Sequence, residues 1–234
     1  MFNSTHILKS KIKQRITQSQ TAGKVWTPQD FLDLGKRDAV DKTLQRLVTT
    51  NELRRIERGL YDQIRINPLT SRQSAPDYRS VIDAVSRRGQ VRVLIDGMTA
   101  ANDLGLTNAV PAQVIVHTDG QLRPITLDKL TLHFKLTAPS KLYWADHPAM
   151  RVVQALYWLR DGLKGGSQAD QDTILSKLVR LLQAPQANAI RDDLRLGMHT
   201  IPAWMQTLVR KLLDLAEPAL QNILPFSEDT SQGP

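Results

Sequence analysis

The sequence predicts an α+β protein: an N-terminal winged helix-turn-helix followed by a mixed α/β domain with a helical C-terminal part. Three observations predict it. A basic first segment reads as helix, turn, helix and hairpin, residues 91–136 hold several short strand-like runs, and from Asp146 onward apolar residues recur at helical spacing. The boundaries that follow are 1–67 for the winged helix-turn-helix, 76–225 for the second domain and 226–234 for a polar, flexible tail.

Composition limits the possible functions. With 41% hydrophobic and 23% charged residues, the chain has the balance of a globular protein with a packed core. No apolar run reaches the ~18 residues of a membrane span. Lys9, Lys11, Lys13 and Arg15 stand near the start with no apolar stretch beside them, so no secretory signal is expected. There is no cysteine, which excludes disulfides, thiol catalysis and cysteine-ligated metal. The expected location is cytoplasmic, with no membrane partner and no cofactor. Of the net charge of +8, residues 1–66 carry +6 (13 Lys/Arg against 7 Asp/Glu) and the rest carry +2 (18 against 16). A basic segment on a near-neutral body suggests a module that binds a polyanion.

The elements follow in order. His6–Ile16 predicts a helix with Ile7, Leu8, Ile12 and Ile16 on its apolar side, and Lys24–Trp26 a short strand. Thr27 can cap a second helix that has Pro28 at its first position and Asp30 in its first turn, before Gly35 turns the chain. A third helix is expected over Arg37–Thr49, because Val40, Leu44, Leu47 and Val48 form one stripe. Leu53–Tyr61 predicts a hairpin bending at Arg58-Gly59, with Leu53, Ile56, Leu60 and Tyr61 inward. Asn67–Pro76 is polar and proline-punctuated, as a linker would be.

In the body, Tyr78, Val81, Ile82 and Val85 predict a helix over Asp77–Arg88 that Gly89 ends. Strands are expected at Val91–Ile95, Val114–His117, Leu122–Ile125 and Leu130–Leu136, with a short helix at Met98–Leu104. A long helix then carries Met150, Val153, Leu156 and Leu159. Gly162 and Gly165-Gly166 are expected to break the chain before helices over Asp170–Leu182, Asn188–Leu196 and Pro202–Leu215. Leu175, Leu178, Leu182, Leu208, Leu212 and Leu215 read as core stripes, and Trp144, Trp158 and Trp204 as packing anchors.

A helix-turn-helix whose outer face carries Lys36, Arg37, Lys42, Gln45 and Arg46, followed by a hairpin with Arg54, Arg55 and Arg58, suits duplex DNA. Lysines and arginines neutralise phosphates, including Lys9 and Lys13 on the first helix. Gln45, Lys42 or Arg37 can read base edges, and an arginine-bearing wing can enter a minor groove. Asp38, Asp41 and Glu57 soften that face. The alternative is a winged-helix protein–protein interaction module without specific DNA binding.

Trp26–Tyr61, with W-T-P-Q-D-F-L-D-L-G and then L-R-R-I-E-R-G-L-Y, resembles the AbiEi family of antitoxins from type IV toxin–antitoxin systems. Asp96–Thr107, with its G-x-x-A-A-x-x-L-G-L pattern, resembles the segment that follows the winged helix in that family. The resemblance runs from about Lys9 to Phe134. It implies a transcriptional autorepressor that binds inverted repeats in its own promoter. It also implies an antitoxin domain opposing a cognate nucleotidyltransferase-like toxin, usually without a stable complex. A monomer or weak dimer would meet the repeats. Glu52 stands where a glycine is expected between helix and wing.

No enzyme is expected. His117, Asp119 and His133 could be imagined as a metal or general-base site, yet no G-x-S-x-G, H-E-x-x-H or phosphate-loop motif is present. Asp96 before a helix reads as a cap, because its carboxylate would repel a phosphate there.

Overall fold

The structure, a computed structural model, describes residues 2–221; the tail expected at 226–234 lies outside them. It is mixed α+β and divides into two units. The first is Met1–Val93 with Ala112–Ala138, and the second is Leu94–Pro111 with Pro139–Pro234. The seam expected at Asn67–Pro76 thus falls inside the first unit, and the chain passes between units within the strand β3 (Val93–Ile95). Among the described residues, no helix is long and apolar enough to cross a membrane.

The first unit begins with α1 (Phe2–Thr17), a 3₁₀ turn at Pro28–Phe31, α2 (Arg37–Thr49) and a hairpin of β1 (Arg54–Glu57) and β2 (Leu60–Asp62). The second helix expected after Thr27 is a single 3₁₀ turn. There the Thr27 backbone N–H donates to the Asp30 carboxylate at 2.7 Å, and the Thr27 hydroxyl does so at 3.0 Å. Leu8, Ile12, Phe31, Val40, Leu44, Leu47 and Leu53 share one core, with Trp26 stacked on Phe31 at 5.3 Å. Ile7, expected inward, is 47% exposed, because the buried stripe of α1 runs through Leu8, Ile12 and Ile16. Instead of a strand at Lys24–Trp26 there is one bridge, Trp26 to Tyr61.

Helix α2 ends in a Schellman motif. The Glu52 N–H donates to Leu47 O at 2.9 Å and the Asn51 N–H to Val48 O at 3.0 Å. The left-handed position is Asn51, φ 54°, one residue before the expected glycine site. Asparagine tolerates that conformation, so Glu52 is free to carry a side chain with another use.

The remainder of the first unit is α3 (Tyr78–Gly89), capped by Asp77, and the strands β4 (Gln113–Thr118), β5 (Ile125–Leu127) and β6 (Leu130–Leu136). These strands lie in the order β4-β6-β5, β6 being parallel to β4 and antiparallel to β5. The strand expected at 122–125 starts three residues later, where Ile125 and Leu127 face the core.

The second unit packs α4 (Gly97–Asp103) on α5 (Met150–Gly165), followed by α6 (Gln168–Gln183), α7 (Asn188–Leu196) and α8 (Ala203–Gln221). The G-x-x-A-A pattern is a packing device. A Cβ on Gly97 would stand 2.5 Å from Gln154 O of α5, and Ala100 and Ala101 are fully buried. Gly162 lies within α5, and the chain breaks only at Gly166. Trp144 is buried, whereas Trp158 is 43% and Leu215 50% exposed, so neither of the latter two serves the core as expected.

Candidate nucleic-acid interface

Helix α2 buries Val40, Thr43, Leu44 and Leu47 and leaves Lys36, Arg37, Lys42, Gln45 and Arg46 exposed. Across from this face stands the hairpin. Its turn is Arg58-Gly59, and Gly59 adopts φ +76°, where a side chain would be strained. In the pairing register Arg54 opposes Asp62, Arg55 opposes Tyr61 and Glu57 opposes Leu60, so Ile56 is an extra residue that bulges β1.

Strand alternation sends Arg54 and Arg55 to opposite faces. Arg54 turns to the interior: its Nε and Nη2 donate to the buried Asp62 carboxylate at 3.0 and 2.6 Å, and its Nη1 donates to Ser74 O at 2.8 Å. Arg55 turns to a groove of about 460 Å³ between α2 and the hairpin, lined also by Arg37, Asp41, Gln45, Arg58 and Tyr61. Burial pushes the Tyr61 phenol upward, which keeps it a neutral wall of that groove.

The acids that soften this face are mostly occupied. Asp41 accepts from Arg37 Nε at 2.8 Å, and Glu57 stands 3.6 Å from Arg88 Nη2 of α3. Asp30 pairs with Arg87 at 2.6 Å. Arg88 also donates to Arg58 O at 2.6 Å and so props the hairpin tip. Sequence reasoning missed Arg87 and Arg88; the last turn of an amphipathic helix gave no sign of what they would reach. Among the described residues, Lys36, Lys42, Arg46, Arg55 and Arg58 have no carboxylate partner.

The expected first-helix contacts are placed differently. Lys9 Nζ and Lys13 Nζ meet the two oxygens of Glu52 at 2.8 and 2.6 Å. The two ammonium groups hold the Glu52 carboxyl at about 2, well below its ordinary value. Of the ten expected residues the structure therefore gathers Arg37, Gln45, Arg55 and Arg58 at one groove and leaves Lys36, Lys42 and Arg46 exposed on or beside α2. Lys9, Lys13 and Arg54 are tied to internal partners.

The groups weighed for catalysis are engaged separately. Asp119 accepts from the Arg92 N–H and Nε, both at 2.9 Å, and Arg92 holds its carboxyl below the usual range. His117 Nδ1 lies 3.0 Å from the Thr137 hydroxyl, and His133 is exposed. Asp96 caps α4 by accepting from the Thr99 N–H at 3.0 Å. Among the described residues, no three His, Cys, Asp or Glu are grouped to hold a metal.

An exposed basic helix face beside an arginine-bearing hairpin defines a class of surface suited to polyanions. The chain belongs to a family of unknown function (DUF6088), whose model matches residues 11–190. No curated protein matches the sequence.

Proposed function

We propose that the α1–hairpin segment is a winged helix-turn-helix that binds duplex DNA, and that the protein is a transcriptional regulator. One observation carries the reading: five cations without a carboxylate partner among the described residues, Lys36, Lys42, Arg46, Arg55 and Arg58, accompany a groove that also presents Gln45. In this reading α2 lies in the major groove, with Gln45 positioned to bond adenine and Lys42 to meet guanine or phosphate. Arg55 and Arg58 hold the flanking backbone, where the planar guanidinium matches phosphate oxygens. Self-repression and an antitoxin role against a nucleotidyltransferase-like toxin complete the proposal. They rest on the resemblance of Trp26–Tyr61 and Asp96–Thr107.

Fluorescence anisotropy on the duplex upstream of the gene, against a scrambled duplex at two salt concentrations, tests the reading. Preference for the upstream duplex that persists at the higher salt is expected. Gln45→Ala should erode that preference while leaving the salt slope in place, because it removes a base contact and no charge. Equal, salt-erased binding to both duplexes would sink specific recognition.

A further inference from the structure

A second groove, of about 520 Å³, lies among β1, the 67–76 turn and the two-residue turn between β5 and β6; Arg54, Arg55, Arg72, Asp128 and Lys129 line it. We propose that this groove is a second phosphate-contact site, carrying the backbone of the same duplex onward past the hairpin. The inference rests on the reading of α2 and the hairpin as a DNA interface.

Three features carry it. First, its positive charge is only partly compensated. Asp62 neutralises Arg54, which leaves Arg55, Arg72 and Lys129 against Asp128 alone, and Arg72 and Lys129 are exposed with no ion-pair partner among the described residues. Second, Arg55 lines both grooves, so this one adjoins the groove beside α2 at a shared cation.

Third, the cations are presented by fixed turns. The 67–76 segment is closed by Asn67 N–H to Arg72 O and Ser74 N–H to Arg65 O, both 2.8 Å, and by the Ile66–Gln73 bridge. Arg54 then ties it to the hairpin through Ser74 O at 2.8 Å. Arg54, expected as a DNA contact, is therefore a positioning residue for Arg72. Lys129 sits in a turn fixed by the Leu127–Leu130 pair, with Asp128 in the left-handed conformation at φ 56°. Cations delivered by three separate segments to an open groove suit a run of phosphates better than a single small anion. Pre-ordered side-chain mounts also lower the entropy lost on binding.

The test is anisotropy with a fluorescein-labelled 30-base-pair duplex from upstream of the gene, titrated across a salt series. R72A/K129A should weaken binding about tenfold at ~150 mM salt and shallow the salt slope by about 1.8, two lost phosphate contacts. R72K/K129R should restore both, and D128N should tighten binding. R210A/K211A, which removes two exposed cations of α8, controls for net charge and should change little. Circular dichroism confirms that each variant is folded. If R72A/K129A keeps the wild-type affinity and slope, or loses no more than R210A/K211A, the second site is overturned while the α2 interface stands. If the wild-type protein itself shows no salt-dependent binding, both readings fall.

Discussion

The α1 side and the α2 side of the N-terminal segment are built from similar cations put to opposite uses. On the α1 side Lys9 and Lys13 converge on Glu52, and Arg15 grips Asp33 through two 2.6 Å hydrogen bonds. On the α2 side Lys42, Arg46, Arg55 and Arg58 find no carboxylate among the described residues, and Arg87 and Arg88 of α3 occupy Asp30 and Glu57. A count of basic residues treats the two sides alike. The pairing separates a side that closes on itself from a side with charge left over for a partner.

The largest effect that would sharpen this contrast is at Arg54. Removing it leaves Asp62, only 4% exposed, as a buried carboxylate without its cation. Arg54→Ala should cost about 3 kcal/mol in urea unfolding, because breaking one half of a buried pair exposes the desolvation penalty of the other. Asp62→Asn added to it should recover part of that loss. A cost under about 0.5 kcal/mol would mean that Arg54 is a surface cation after all.

Next in size is the pair Arg55→Ala/Arg58→Ala. These side chains have no carboxylate partner among the described residues, so stability should hold within about 0.5 kcal/mol. Duplex affinity should fall about tenfold with a shallower salt slope, if the proposed interface is right. Loss of stability without loss of binding would reverse the assignment of this side.

Smaller still is Glu52→Gln. At pH 7 it should cost about 1 kcal/mol, the usual scale of partly exposed ion pairs. The Glu52 carboxyl is held at about 2 in the folded chain, below its ordinary 4.5. Its contribution is therefore complete above about pH 4.5 and is lost as pH falls toward 2. Denaturation of wild type and variant should differ at pH 7 and converge near pH 2; a difference constant with pH would remove the ionic explanation.

The smallest effect distinguishes the two sides most directly. Lys9→Ala/Lys13→Ala should change duplex affinity less than twofold at ~150 mM salt, since both ammonium groups are tied to Glu52, which offsets half of their charge. A tenfold loss in the same anisotropy assay would break the comparison.

Much of this was legible from local pattern. The bounds of α2 and α7, the Arg58-Gly59 turn and the Asp96 cap follow from apolar spacing, glycine chemistry and capping, all interactions within a few residues. The 3₁₀ turn after Thr27 differs from the expected helix because Pro28 and Asp30 can start either helix type, and local pattern does not choose between them. Gly162 was misread because an α5 glycine with open space around it costs helix propensity without ending the helix.

By itself, the sequence determined the bounds of α2, the Arg58-Gly59 turn, the excess of positive charge in residues 1–66 and the basic face of α2, because each depends on residue type and short spacing. Only the tertiary structure decided which cations are free. Lys9 and Glu52, Arg54 and Ser74, and Arg87 and Asp30 lie 20 to 57 positions apart or meet through turns whose direction no local rule sets. Charge pairing depends on distance in space, and folding brings these residues within 3 Å of one another.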